Sequence, residues 1–589
     1  MRRVAALLVC LSTTGTAAAD GDPRLVVRDA MAAELERNMG RLKLEGFEAP
    51  YFIAYTVRDY DNVDVQAKYG AVVSNLRNHA RQAYVEVRVG SYQFDNTADA
   101  SAAGDFNAGS EEIYEPAAEV SIDDDAEALR GQLWLLTDAR YKGALADLNQ
   151  KRGVRATTVV EDENLPSFAR EPAPPPHTDP AAPLEVDRDA WVRRLRSASA
   201  VMKRHPEVVD ADVRFQATRE IRTLVTSEGA RLVTERTLYG LHIEAITRAR
   251  DGILLDHGRS FYGASEAELP SGDKLDAEVD RVGAEIEALR GAPALDPYTG
   301  PAILLPEATG VLFHEVIGHR LEGERLDDAA EGQTFKGQIG QPVIPSFLDV
   351  VDDPTQSLIG KTSLNGHYAF DDEGVRARPV TLIERGKLRT YLTSRKPVIG
   401  APTSNGHGRA EGPVDPMARM GNTMVRSTRR VPMARLRQML LEEVRRQGKP
   451  FGLIIKDITG GSTNTASYGY QAFKGTPRLV YRVDARTGAE TLVRGVEMVG
   501  TPLASIGKIV ATSDQLAVFN GYCGAESGYV PVSTVAPAVL LTEIELQRSQ
   551  RTRQKPMILP PPWADPAHPQ PRPSGPASVA PAGDGATSR

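Results

Sequence analysis

Apolar residues recur at helical spacing from Val26 to Leu44, and again across Asp124 to Leu148, Trp191 to Arg204 and Lys274 to Arg290. This pattern predicts four amphipathic helices in the first half of the chain. Between them, Phe52 to Val57 and Ala83 to Val89 are rich in β-branched and aromatic residues and read as strands. Ala211 to Ser260 alternates apolar and polar positions and is interrupted by turn residues such as Ser227-Glu228-Gly229, the signature of an antiparallel meander. Beyond Pro301 the character changes. Ile303-Leu304-Leu305 leads into a helical pattern from about Ala308 to Leu321, followed by a glycine-punctuated region to about Asn422. A charged amphipathic helix is predicted over Ala434 to Gln447, and strand patterns follow at Leu453 to Ile455, Arg478 to Val483 and Val539 to Leu546. The succession predicts an α+β protein of two domains, a mixed α/β N-terminal domain and a β-rich C-terminal domain.

Both ends of the chain and one internal stretch break the pattern. Met1-Arg2-Arg3, the short apolar run Val4 to Leu11 and the small residues Ala17-Ala18-Ala19 predict a secretory signal peptide over residues 1–19. The protein is therefore expected to be exported, periplasmic or secreted, after cleavage near Ala19. A lipoprotein is the lesser expectation, because Val9 stands before Cys10 where a small residue belongs. Residues 166–183 hold a run of prolines and read as a linker or excursion between an N-terminal α/β part (20–165) and a second half of the N-terminal region (184–295). The C-terminal domain is placed at 296–550, and the Pro-rich residues 551–589 are expected to form a disordered tail. A chain of 589 residues exceeds what one core supports, in agreement with this division. Formal net charge is −8 with Lys and Arg scattered, which argues against a nucleic-acid partner. No apolar stretch reaches the roughly 20 residues that span a bilayer.

Chemistry concentrates at His314-Glu315-Val316-Ile317-Gly318-His319. Neutral imidazoles are common zinc ligands, and a catalytic zinc uses three protein ligands with the fourth position open for water. Glu315 is the candidate general base on that water. The spacing poses a geometric difficulty: five residues at about 100° each place the two histidines roughly 140° apart on a regular helix. A π-bulge absorbing the extra residue, a helix ending near Gly318, or no metal site at all would each resolve it. An irregular helix is predicted here, and Gly318 eases the distortion. A third ligand is needed. Cys523, flanked by Gly521 and Gly524, is the only cysteine left after signal-peptide removal and is the natural candidate; His367 and His407 are its rivals. His407, Arg409, Tyr468 and Tyr529 are candidate contacts to substrate or oxyanion.

These residues resemble the TldD/PmbA family, the TldD-type metallopeptidases also described as modulators of DNA gyrase. His314 to His319 with Arg320-Leu321-Glu322-Gly323 is similar to the family's HExxxH element, and Asp371-Asp372-Glu373-Gly374 to its acidic turn ahead of a strand. Asn405-Gly406 through Asn422-Thr423, and Cys523-Gly524 with Val530-Pro531-Val532, are similar to its later blocks. The resemblance implies that His314, His319 and Cys523 bind Zn2+ and that Glu315 is the general base. It implies hydrolysis of short or unfolded peptides in an enclosed cleft, by a homodimer or by a heterodimer with a metal-free, TldE-like paralogue. A dipeptidyl peptidase III-like zinc exopeptidase is the nearest enzyme alternative, although no matching acidic block follows the helix. A non-catalytic binding or assembly subunit of such a complex is the other.

Overall fold

The structure is a computed structural model that describes residues 21–97, 116–157, 162, 164–326, 333–463, 473–500, 502–549, 553–555 and 557–565. The expected signal peptide and Tyr468 lie outside the described residues. In order, the N-terminal region forms α1 (Pro23–Arg41), β1 (Pro50–Lys68), β2 (Ala71–Val89), α2 (Ala126–Arg155), β3 (His177–Thr178), α3 (Arg188–Ala200), β4 (Asp210–Thr226), β5 (Arg231–Arg248), β6 (Leu254–Gly263) and α4 (Asp273–Gly291). Asp22, Asp125 and Asp187 cap α1, α2 and α3 by accepting a backbone N–H of the first turn, and each such cap contributes about 1 kcal/mol.

β2, β1, β4 and β5 pair in that order, antiparallel throughout, and β5 carries β3 and β6 on its far side. The helices cover one face of this sheet. Val63, Val65, Val213, Phe215, Leu241 and Ile243 pack beneath α3 and α4, while Ile53, Tyr55, Val57 and Val85 pack beneath α1 and α2. The opposite face is polar and turns toward the C-terminal domain. There the register sets Arg58 opposite Arg222, and Glu220 opposite Arg236. Two guanidiniums side by side on a buried face repel. Asp372 of the C-terminal domain enters between them and pairs with both, so the two domains dock through a buried charge.

The stretch 166–183 is an excursion tied down at both ends. Phe168 is buried against Phe52 and the Arg395 guanidinium, the Ala169 amide donates to the Arg395 carbonyl, and Arg395 returns two hydrogen bonds of 3.0 and 2.8 Å to the Ala169 carbonyl. Further on, β3 pairs in parallel with β5 at Leu232 and Val233. Within the proline-rich stretch these two residues are thus in regular strand pairing. The tail expectation is corrected in part. Arg553 bridges to Ile253, the Gln554 amide donates to the Gly252 carbonyl, and Trp563 lies 4.4 Å from the Tyr69 ring. Residues 566–589 lie outside the described residues.

The C-terminal domain is built on a twelve-stranded sheet, opened by β7 (Tyr298–Leu304). Its longest strand, Gly528–Arg548, pairs with Ile509–Ala525 in a hairpin, with Val496–Gly500 and with β7. β7 pairs in turn with Phe451–Thr463, and that strand with Phe473–Asp484, which reaches Val496–Gly500, so the pairings close a circuit. The short helix α5 (Pro306–Phe313) lies against this circuit with Ala308, Val311, Leu312 and Phe313 in the core. Burial of Val311, Leu312 and Phe313 stabilises by about 1.5–3 kcal/mol each. Among the described residues no helix is long and apolar enough to cross a membrane.

Candidate metal centre

Pro306 opens α5, where the fixed φ of proline suits the first helical position. From Ala308 to Gly323 every residue is buried. At His314 the winding changes: His314–Gly318 is a π-helical turn, and His319–Leu321 tightens to a 3₁₀ turn. The His319 amide donates to the carbonyl of His314, five residues back. That one wider turn removes the geometric difficulty, because it returns His319 to the side His314 occupies. The ring centroids are 5.0 Å apart with planes at 87°.

Cys523 comes from the strand Ile509–Ala525, opposite Val530 of its hairpin partner. Its Sγ lies 3.5 Å from His319 Nε2, and one ligand atom each of His314, His319 and Cys523 lie within 4.8 Å of one another. Two imidazoles and a thiol are a zinc donor set, and ligand atoms of one tetrahedral zinc stand roughly 3.3–3.6 Å apart, a spacing that Cys523 Sγ and His319 Nε2 already have at 3.5 Å. His314 Nδ1 is buried without a hydrogen-bond partner. The residues present therefore fit the ion.

The electrostatics agree with this fit. Burial opposes charge on the His314 ring, yet the neighbouring Cys523 raises its pKa; His319 is held well above its ordinary value against burial by Glu322 and Cys523. The same two imidazoles, against burial, hold the Cys523 thiol well below its usual range. A cation entering the triad displaces protons from a site already arranged for positive charge beside a thiolate. Burial also lifts the Glu315 carboxyl above the ordinary range, with His314 and His319 acting in the opposite sense.

Glu315 lies against Gly461 of the strand Phe451–Thr463. A Cβ at Gly461 would stand 2.3 Å from Glu315 Cγ and 2.7 Å from Oε1, so glycine makes room for the carboxyl. The Gly460-Gly461 pair inside a strand is the sequence signal for such a close approach, and the sequence reading passes over it. Glu322, named in the sequence only as part of the Leu-Glu-Gly after the motif and given no role there, has its Oε2 3.1 Å from His319 Nδ1.

The rival ligands stand elsewhere. His367 Nδ1 is 2.9 Å from the Pro354 carbonyl, and His407 is fully buried with Nδ1 at Asn405 and Nε2 3.3 Å from Asp352. The expectation that His407 touches substrate is thereby corrected: both its nitrogens face protein groups. Arg409 donates to the carbonyls of Met420 and Pro531 under the Tyr368 ring, and Tyr529 is 64% exposed. Both line a cleft of about 830 Å³ between the polar face of the N-terminal sheet and the hairpin that carries Cys523. Tyr522 faces this cleft and is 48% exposed, whereas the adjacent Cys523 is 1% exposed. Successive side chains alternate faces along a strand, so the cleft and the triad lie on opposite faces of this one.

A two-domain α+β fold with a buried His-His-Cys triad at a π-helical turn is the class of protein these observations define. Residues 297–548 match the family model described as the PmbA/TldA metallopeptidase C-terminal domain. The chain is 27% identical over 312 residues to a metalloprotease of Methanocaldococcus jannaschii, covering 53% of this chain and 64% of that one. It is 26% identical over 266 residues to a zinc metalloprotease TldD homologue of Saccharolobus solfataricus, covering 44% and 54%. The crystal structure of TldE from Thermococcus kodakarensis superposes with a TM-score of 0.59 over 88% of this chain and 100% of that one, at 13% identity, a likeness of fold. Residues 297–548 thus carry the C-terminal domain of this metallopeptidase family, and the chain shares the fold of TldE over most of its length.

Proposed function

We propose that this protein is a zinc-dependent peptidase acting on short or unfolded peptides, with Glu315 as its general base. The observation that carries the reading is the convergence of His314, His319 and Cys523, from two segments 204 residues apart, beside the carboxyl of Glu315. The two imidazoles and the thiolate would hold the zinc, which when bound supplies Lewis acidity toward a peptide carbonyl and lowers the pKa of water. Glu315 takes the proton from the attacking water and delivers one to the departing amine. Gly461 leaves its carboxyl the room for that exchange. The relatives named metalloproteases support the reading, and the grouping of a Cys523 ligand atom with one atom of each ring favours it over the dipeptidyl peptidase III alternative, in which the cysteine would be idle. Export after cleavage near Ala19, and assembly as a homodimer or with a TldE-like paralogue, belong to the same proposal.

The test is metal content by elemental analysis together with peptide digestion with and without chelator. Glu315→Gln is expected to retain one zinc per chain and to lose about 10²–10⁴-fold in kcat, the range general-base catalysis supplies. Full activity in that variant removes the proposed base, digestion indifferent to chelator removes the zinc, and a wild-type protein that digests no peptide in either arm removes the peptidase reading in favour of a non-catalytic subunit.

A further inference from the structure

The centre joins two distant pieces of chain, and their relative placement is built into the protein around one carboxylate. Glu322 is completely buried. Its Oε2 lies 3.1 Å from His319 Nδ1 and accepts a hydrogen bond of 2.8 Å from Arg325 Nε. Arg325 continues to the tip of the hairpin and donates to both carboxylate oxygens of Glu526, at 2.9 and 2.6 Å. Arg419, also fully buried, donates to the Cys523 carbonyl at 2.5 Å, to Ser527 Oγ at 2.9 Å and to the Gly528 carbonyl at 3.0 Å. Its Nε stands 3.4 Å from the other oxygen of Glu322. One carboxylate thus faces the outer nitrogen of a candidate ligand and two guanidiniums, and both guanidiniums end on residues 523–528.

Resting on the zinc reading above, we infer that Glu322 is a positioning residue that holds the two halves of the centre in register. Its carboxylate accepts the His319 Nδ1–H, which fixes the ring and the tautomer and leaves Nε2 free toward Cys523. Arg325 carries the carboxylate across to the hairpin through hydrogen bonds at both ends, and Arg419, itself fixed to the hairpin by three hydrogen bonds, faces the carboxylate by charge alone. His314 shows the contrast, since its Nδ1 is buried without a hydrogen-bond partner. Glu322 therefore governs one imidazole and the sulfur, leaving the other imidazole where the helix puts it.

Two variants test this, each measured for zinc affinity by competition with a chromophoric chelator and for the absorption spectrum of the cobalt-substituted protein. Glu322→Gln is expected to bind zinc about 10–100-fold more weakly, the usual loss for an outer-shell carboxylate, with a weakened and shifted thiolate-to-cobalt band. Because that variant leaves two buried arginines short of a counter-charge, its folding is itself at risk. Glu526→Gln is not exposed to this difficulty, since the Glu526 side chain is 62% exposed and touches no candidate ligand. It removes the hairpin anchor of Arg325 and is expected to weaken zinc binding about threefold or more, with the same sense of spectral change. Wild-type affinity and an unaltered cobalt spectrum in either folded variant overturn the inference. A wild-type protein that takes up no zinc overturns instead the functional reading on which it rests.

Discussion

Replacement of Gly318 by alanine isolates what the π-helical turn depends on. Gly318 has φ −54° and ψ −64°, values any residue adopts. Alanine there meets no backbone strain and gains about 1 kcal/mol of helix propensity over glycine. The opposing effect is contact: the new Cβ would lie 1.9 Å from Met420 Sδ, 2.8 Å from its Cε and 3.3 Å from its Cγ. Met420 is fully buried in the main core of the C-terminal domain, and its carbonyl is held by Arg409. Overpacking of a core costs about 1–3 kcal/mol, and a 1.9 Å approach calls for the upper end. The net expectation is a loss of about 1–2 kcal/mol. Met420→Ala alone leaves a cavity and costs about 2–5 kcal/mol. In the double variant the alanine methyl enters the space the sulfur vacated, so the pair should be about 1–2 kcal/mol more stable than the sum of the singles. Denaturant unfolding of the metal-free protein for all four members of the cycle measures this. Zinc affinity should follow the same pattern, reduced in Gly318→Ala because His319 is the next residue, and partly restored in the double variant. Strict additivity, or a Gly318→Ala protein as stable as the wild type, would refute the steric account.

Two further outcomes are expected from buried charge. Asp372→Asn leaves Arg58 and Arg222 facing each other without their shared carboxylate, and should cost about 3–5 kcal/mol in denaturant unfolding; a change under 1 kcal/mol would mean that the domains dock by other means. Burial, with Arg214 nearby, holds His242 down to about 4. The unfolded ring titrates near 6.5, so as pH falls the unfolded chain takes up the proton first and stability declines between pH 6.5 and 4 by up to about 3 kcal/mol, with no effect above that window. His242→Gln should flatten this acid limb in a series of unfolding curves, and an unchanged limb would show that other groups produce it.

The helices of the N-terminal region were legible because each hides one stripe of apolar residues from water, and Val27, Met31 and Leu35 of α1 repeat at that period. The strands were legible where at least one face stays apolar along the run, as in Phe52 to Val57 and in the alternating meander from Ala211 to Ser260. From Arg58 to Gln82 the hairpin of β1 and β2 is continuous, yet Arg58, Tyr60 and Asn62 face the cleft between the domains and hide the alternation that Val63, Val65 and Ala67 complete. A polar face lined by a partner domain resembles a solvated loop until the partner is known. The Pro-rich stretch shows the converse, since Phe168 and Ala169 gain their order from Arg395, more than two hundred residues away.

At the centre, the pair of histidines and the glutamate were legible from local spacing, and the irregular winding follows from the arithmetic of five residues on a helix. The reason for glycine at 318 did not follow from it. Backbone freedom was the local explanation, whereas the backbone there is ordinary and the space is taken by Met420, a residue whose proximity no local pattern encodes. The same limit applies to Arg419. In sequence it is one of many arginines, and only its burial and its hydrogen bonds to the Cys523 and Gly528 carbonyls and to Ser527, more than a hundred residues on, separate it from a surface charge. A buried guanidinium without partners is costly enough that its bonds must be satisfied somewhere in the fold. The sequence therefore announces that such a residue, if buried, belongs to a network, and leaves to the tertiary structure which carboxylate and which carbonyl complete it.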